Sequence, residues 1–273
     1  MTPADLNVRF AAVGAAAWGC VAYDALLPHM GAAAREKAGC LLPNPTTVLV
    51  AAFPYFTGET EGNLSVYARG SDYHAVLRER LNTICDFLLE EYDSYTFFSA
   101  ADSSPLPERE AAWLAGLGLR GENGLLILPP YGSYVFLGTI LTDAPLPFQE
   151  VASAPGCIGC GACKAACPTR ALEGLGPCLS DLTQKKGELT PEETALLKTH
   201  PYVWGCDLCQ TACPYNRTPR VAPLTEFTQG YLSDLTPDML EGLTNRAFQE
   251  QFGHRAFAWR GPAVLKRNLS LKK

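Results

Sequence analysis

No stretch of 18 or more consecutive apolar residues occurs in this 273-residue chain, so no segment is long enough to cross a bilayer as a helix. A secretory signal is not expected either. Its one candidate, FAAVGAAAWGCVAY at residues 10–23, follows a single positive charge, Arg9, which Asp5 offsets, and reads instead as a buried helix and strand. A cytoplasmic location without membrane attachment is therefore expected. Basic character is also lacking. With a net charge of −6 and a pI of 5.3, the chain as a whole does not attract nucleic acid or anionic lipid. The charge is uneven, however. Residues 242–273 hold Arg246, Arg255, Arg260, Lys266, Arg267, Lys272 and Lys273 against Glu250 alone, a net +6 that leaves −12 on residues 1–241. That tail is either a solvated terminal helix or a local patch for anions.

Cysteine is abundant, with 11 residues, and without a secretory signal this points to metal or redox chemistry in a reducing compartment rather than to disulfides. The run CIGCGACKAACPTRALEG sets Cys157, Cys160, Cys163 and Cys167 at C-x2-C-x2-C-x3-C, with Pro168 directly after. This is the bacterial ferredoxin pattern, in which three cysteines hold one 4Fe-4S cluster and the fourth reaches across to another. The second run, CDLCQTACPY from residue 206, supplies only C-x2-C-x3-C-P, and the isolated Cys178 completes it. The sets become Cys157, Cys160, Cys163 and Cys213 for one cluster, and Cys167, Cys178, Cys206 and Cys209 for the other. Paired zinc sites are the competing reading, since C-x2-C is also a zinc signature. Zinc requires neither the third cysteine two residues on nor the C-x3-C-P ending. Cys20, Cys40 and Cys85 read as small core residues. Two clusters make an electron wire, and the acceptor is expected in the N-terminal part.

Residues 1–150 read as mixed α and β structure. TTVLVAAFPY (46–55) and SYTFFSA (94–100) are of strand length. Between them, residues 72–92 place Leu77, Leu81, Ile84, Leu88 and Leu89 on one face of a helix. A second helix runs through PLPEREAAWLAGLG, with prolines at its entry and glycines at its exit. NGLLILPPYGSYVFLGTIL reads as two strands about a Pro-Pro-Tyr-Gly turn. Residues 151–219 form a Cys-, Gly- and Pro-rich module, and residues 220–273 a basic helical tail expected to pack on the first domain because its apolar spacing is too short to stand alone. The detour between Cys178 and Cys206 carries a Lys-Lys turn and a helix at TPEETALLKTH.

YARGSDYHAVL (67–77), ADSSPLPEREAAWLAGLGLRGENGLLI (101–127) and GSYVFLGTILTDAPL (132–146) stand in the order seen in epoxyqueuosine reductases. CGACKAACPTRAL, the lone Cys178, GCDLCQTACPYN and FGHRAFAWRGPAVLKRN continue the match. The chain resembles that family over residues 45–268. The resemblance implies an α+β fold: a cobalamin-binding domain shared with reductive dehalogenases, a ferredoxin-like double-cluster domain and a short helical tail. It implies reduction of the epoxide of epoxyqueuosine in tRNA to the alkene of queuosine, with electrons passing through two 4Fe-4S clusters to cobalamin. A flavodoxin or ferredoxin is then the expected donor, and the chain is expected to act as a monomer.

By the same resemblance Asp102 is the proton donor, its carboxyl raised in pKa by burial against the corrin and apolar walls. Tyr67, Arg69, Tyr73, His74 and Asn123 are cofactor-side candidates. The residues alone also allow Asp102 to be a helix N-cap, and the YARGSDYH stretch to be a helix start capped by Asp72. No Asp-x-His-x-x-Gly motif is present, which fits cobalamin held without a protein ligand below cobalt. Leu119 and Glu122 stand where the family commonly has an aromatic residue and a lysine, which reverses a charge that RNA or cofactor could meet. Two further readings remain: a cobalamin-dependent reductase of a small molecule such as an organohalide, and a two-cluster electron carrier.

Overall fold

The structure, a computed structural model, describes residues 3–146 and 155–272. The expected boundary at residue 150 lies outside the described residues. Two compact units emerge, each discontinuous in sequence: residues 1–54 with 73–158, and residues 55–72 with 159–273.

The first unit is built on a four-stranded antiparallel sheet in the order β1-β2-β6-β3. Its strands are β1 (Ala17–Ala22), β2 (Thr47–Pro54), β3 (Phe97–Ala100) and β6 (Val135–Thr142). Every residue of β2 is buried, as a near-continuous apolar run requires when both faces of a strand are covered. On one face, Val48, Val50, Ala52 and Leu141 pack with Ala111, Ala112 and Trp113 of helix α5 (Glu108–Leu114) and with Ala38 of α3 (Ala32–Leu41). On the other lies α4 (Tyr73–Glu91), which buries Leu77, Leu81, Ile84 and Leu88. Gly138 permits this approach, because a Cβ there would stand 2.7 Å from Leu81 Cδ1. Leu89, expected on the same face, is 40% exposed; its position after Leu88 turns it about 100° away. Helices α1 (Pro3–Ala12) and α2 (Tyr23–Leu26) flank β1. Cys20 and Cys85 are core residues as expected, whereas Cys40 is exposed near the end of α3.

The hairpin expected over residues 123–141 does not form. Leu126 and Ile127 (β5) pair with Leu119 and Arg120 (β4), while β6 joins β2 and β3. The turn that joins two strands is Gly121–Gly124, with Gly121 N–H bonded to Leu125 O at 3.0 Å; the Pro-Pro-Tyr-Gly turn also closes, Leu128 N–H on Gly132 O at 2.8 Å, but no strand pairing follows from it. Asn-Gly is the stronger turn signal, and the prolines at 129 and 130 have no N–H to give a ladder.

The second unit holds the short helices α6 (Ala162–Ala165), α7 (Leu179–Gln184), α8 (Pro191–Thr199) and α9 (Leu208–Thr211). They are followed by α10 (Thr225–Thr228), α11 (Pro237–Leu240), α12 (Asn245–Phe252) and α13 (Pro262–Ser270). Helix α8 falls where TPEETALLKTH placed it. A reciprocal capping box of Thr190 and Glu193 starts it. Trp204, Phe227, Phe248 and Phe257 are wholly buried.

The C-terminal segment groups with this unit. Asn268 donates to the carbonyls of Thr183 and Val203, and Arg267 to those of Lys185 and Gly187. Lys272 binds the carbonyls of Leu197 and His200. These cations serve the fold, so a phosphate-binding tail would have to rely on others, such as Lys266 and Arg260, whose guanidinium stacks over exposed Trp259.

Candidate active site and cluster module

Strand β3 ends at Ala100, and the chain then makes a tight turn centred on Asp102. Its φ is +58°, and Ser103 N–H bonds Ala101 O at 2.6 Å, a three-residue turn that L residues adopt only under strain. Side chains from two helices hold it. His74 Nε2 lies 3.2 Å from Asp102 Oδ2, and the Asp102 N–H donates to Glu108 Oε1 at 2.9 Å. The hydrogen bond from His74 lowers the Asp102 carboxyl below the ordinary aspartate value; partial burial opposes this, while the His74 charge and a hydrogen bond from Tyr73 add to it. In the chain alone the Asp102 carboxyl is therefore lowered and not raised: its side chain is 65% exposed. The N-cap alternative fails, since α5 begins at Glu108 behind Pro107 with no side-chain cap.

Tyr73 stacks on Phe136 at 4.3 Å and on the His74 ring at 4.0 Å, so the first turn of α4 presents a layered aromatic surface beside Asp102. Glu108 was not singled out in the sequence, where it reads as an ordinary acid in a helix's first turn. Burial pushes its carboxyl up to about 8; the bond from the Asp102 amide lowers it, and the Asp102 charge raises it. Asn123 sits in the β4–β5 turn, where Oδ1 accepts from Leu125 N–H while the buried Nδ2 has no acceptor. Glu122, beside it, is exposed.

In the second unit, Arg69 is fully buried. It donates to the carbonyls of Leu64 at 2.9 Å, Thr60 at 2.9 Å and Glu59 at 3.2 Å. Its guanidinium therefore organises the 59–69 loop. Tyr67 OH accepts from Gln184 of α7 at 3.3 Å, so the detour between the cysteine runs does reach the loop that carries Tyr67. Beside the loop lies Asp207, inside the second cysteine run and also missed in the sequence. It accepts from Ser65 Oγ at 2.5 Å, Val66 N–H at 2.7 Å and Gln210 Nε2 at 3.2 Å.

Cys209 lies within electrostatic reach of Cys178, Cys163 and Cys167, and Cys206 of Cys209 and Cys178. Burial pushes the Cys206 and Cys209 thiols up to about 12. Cys167 is held below its ordinary value: burial raises it, but hydrogen bonds from the Thr169 hydroxyl and the Ala171, Leu172 and Thr169 amides outweigh that. Such N–H···S bonds are the ones that tune cluster potentials. Cys163 and Cys213 are buried, and Cys160 and Cys178 are exposed. Cys157, on the first unit, donates its N–H to Arg120 O at 3.0 Å. Among the described residues no group of three or more Cys, His, Asp or Glu could hold a metal ion.

A 4Fe-4S double cluster binding domain model matches residues 156–216, and a model described as epoxyqueuosine reductase QueG, DUF1730 matches residues 35–103. An epoxyqueuosine reductase of Synechocystis sp. is 32% identical over 267 residues, covering 92% of this chain and 91% of the relative. The chain belongs to the epoxyqueuosine reductase family. Epoxyqueuosine reductases of Listeria monocytogenes and Bacillus subtilis are 36% and 37% identical and match 84% and 74% of this chain. Against these two relatives, the chain spans 64% and 53% of their length. Among solved structures, an epoxyqueuosine reductase with an epoxyqueuosine-modified stem loop of tyrosine tRNA matches with a TM-score of 0.80 at 30% identity. The Bacillus subtilis epoxyqueuosine reductase, with its catalytic aspartate loop swung out of the active site, matches with a TM-score of 0.81 at 29% identity. Both matches cover 98% of this chain and 80% of the other. The mixed α and β architecture and the double-cluster domain agree with the fold class expected from the sequence.

Proposed function

We propose that the chain reduces the epoxide of epoxyqueuosine in tRNA to the alkene of queuosine, consuming two electrons and two protons and releasing water. The observation that carries this reading is the contact between His74 and Asp102 beside the stacked Tyr73, within a chain whose solved relative holds an epoxyqueuosine-modified stem loop. That relative's substrate, and the catalytic aspartate loop of the Bacillus subtilis protein, are carried here to tRNA and to Asp102.

Cobalamin, when bound, supplies the low-valent metal chemistry, and the two 4Fe-4S clusters supply single electrons. The cysteine thiols are the donor type that both clusters require: Cys157, Cys160, Cys163 and Cys213 would hold one cluster and Cys167, Cys178, Cys206 and Cys209 the other. The unpartnered Asn123 amide offers a donor to a cofactor oxygen. His74 turns Nε2 onto Asp102, which fits a cobalamin without a ligand from this histidine. Tyr67 and Tyr73 are cofactor-side candidates, each within its own unit, and Arg69 acts through the loop that it organises. A flavodoxin or ferredoxin delivers the electrons to a monomeric, cytoplasmic enzyme.

An epoxide oxygen leaves readily only when protonated, so the chain must hold a proton at the reacting oxygen. Asp102 alone, lowered in pKa, is ionised at neutral pH; the Asp102–His74 pair is the unit that holds the proton. Covering the pair excludes water and strengthens the interaction. Expression in cells that lack their own reductase tests the reading. Queuosine should replace epoxyqueuosine in tRNA with the wild type and not with Asp102→Asn. Absence of queuosine with the wild type would remove the proposal.

A further inference from the structure

The turn that carries Asp102 is strained, and a strained turn persists only where its surroundings hold it. Within the turn, the Ser103 amide is spent on Ala101 O. From outside, a single side chain takes the Asp102 amide: Glu108, on the first turn of α5, whose Oε1 lies 2.9 Å away. The other acid of that helical turn, Glu110, faces Arg120 and His29, and Arg109 spends Nη1 on Gly124 O. Asp102, His74 and Arg109 are the charged groups that act on Glu108. Helix α5 is in turn anchored by Ala111, Ala112 and Trp113 in the core against β2. A rigid path therefore runs from the buried sheet through Glu108 to the Asp102 amide.

We propose that Glu108 is a positioning residue, whose carboxyl fixes the Asp102 turn on helix α5 and so keeps the Asp102 carboxyl in contact with His74. This deepens, and rests on, the reading of Asp102 as the proton donor. The burial that favours a neutral Glu108 carboxyl suits the role, since a neutral carboxyl can accept the amide through its C=O without placing a second negative charge beside Asp102. Glutamine preserves the acceptor, and methionine preserves the length without it.

The test compares Glu108→Gln and Glu108→Met in the full, cluster-loaded chain. Titration of the Asp102 carboxyl carbon by NMR should stay below the ordinary aspartate value in the wild type and in Glu108→Gln, and return toward it in Glu108→Met, because the His74 contact is its largest cause. With an epoxyqueuosine-modified stem loop, Glu108→Met should lower kcat by about tenfold or more and leave KM within about threefold, while Glu108→Gln stays near the wild type. Glu108→Ala, which leaves room rather than bulk, is read the same way if the methionine variant does not fold. An Asp102 titration in Glu108→Met or Glu108→Ala that matches the wild type would overturn the proposal. If the wild type converts no epoxyqueuosine, the functional reading fails, while the Asp102 titration still decides the role of Glu108.

Discussion

One motif, YARGSDYH, divides between two jobs. Its first half ends in Arg69, wholly buried and bound by three carbonyls of its own loop. Its second half begins α4 and presents His74 to Asp102, whose side chain is 65% exposed in a strained turn. Both regions carry a charge singled out by the same family pattern. The first spends its charge on architecture, because a buried guanidinium must satisfy every donor it can. The second keeps a charge at the surface with two partners, and can therefore exchange one of them for a substrate atom.

The contrast predicts opposite responses to mutation. Arg69→Ala strands three carbonyls and opens a cavity, and should cost about 3–5 kcal/mol in a denaturant titration; a loss below about 1 kcal/mol would break the contrast. Next in size is the pH dependence set by Glu108. Its folded pKa, about 8, lies above the unfolded value. The stability it contributes is therefore fully present below the unfolded carboxyl pKa and lost as pH rises through about 8. Glu108→Gln should flatten that loss, on the order of 2–4 kcal/mol between those limits, in unfolding curves taken from pH 4 to 9. Thr190→Ala, which removes one arm of the capping box on α8, should cost about 1 kcal/mol. Asp102→Gly should gain up to about 1 kcal/mol, since glycine takes a φ of +58° without strain.

The division between these regions was only partly legible in the sequence. Strand β2 could be read from an unbroken apolar run, and α8 from Thr190, Pro191 and Glu193, because both signals are local. The cysteine runs of the double-cluster domain were legible for the same reason. Long-range geometry was not. Leu126 and Ile127 pair backward with Leu119 and Arg120 because the Asn123-Gly124 turn closes first, although the apolar pattern on both sides of Pro129-Pro130 suggested the other partner. Arg69 sits fully inside, where the rule that arginine stays near water predicts the reverse. Glu108 and Asp207 draw their importance from amides at positions 102 and 66, one at the end of a turn and the other 141 residues away in sequence, and no periodicity records such a contact.

On the proposed reading Asp102 acts in chemistry and not in folding. The most direct measurement is anaerobic single-turnover conversion of an epoxyqueuosine-modified stem loop by cluster-reconstituted, cobalamin-loaded wild type and Asp102→Asn. Stem-loop affinity and the denaturation midpoint are recorded for both. Asp102→Asn should keep affinity and midpoint while the rate of queuosine formation falls by about 100-fold or more. A rate within about twofold of the wild type would contradict it.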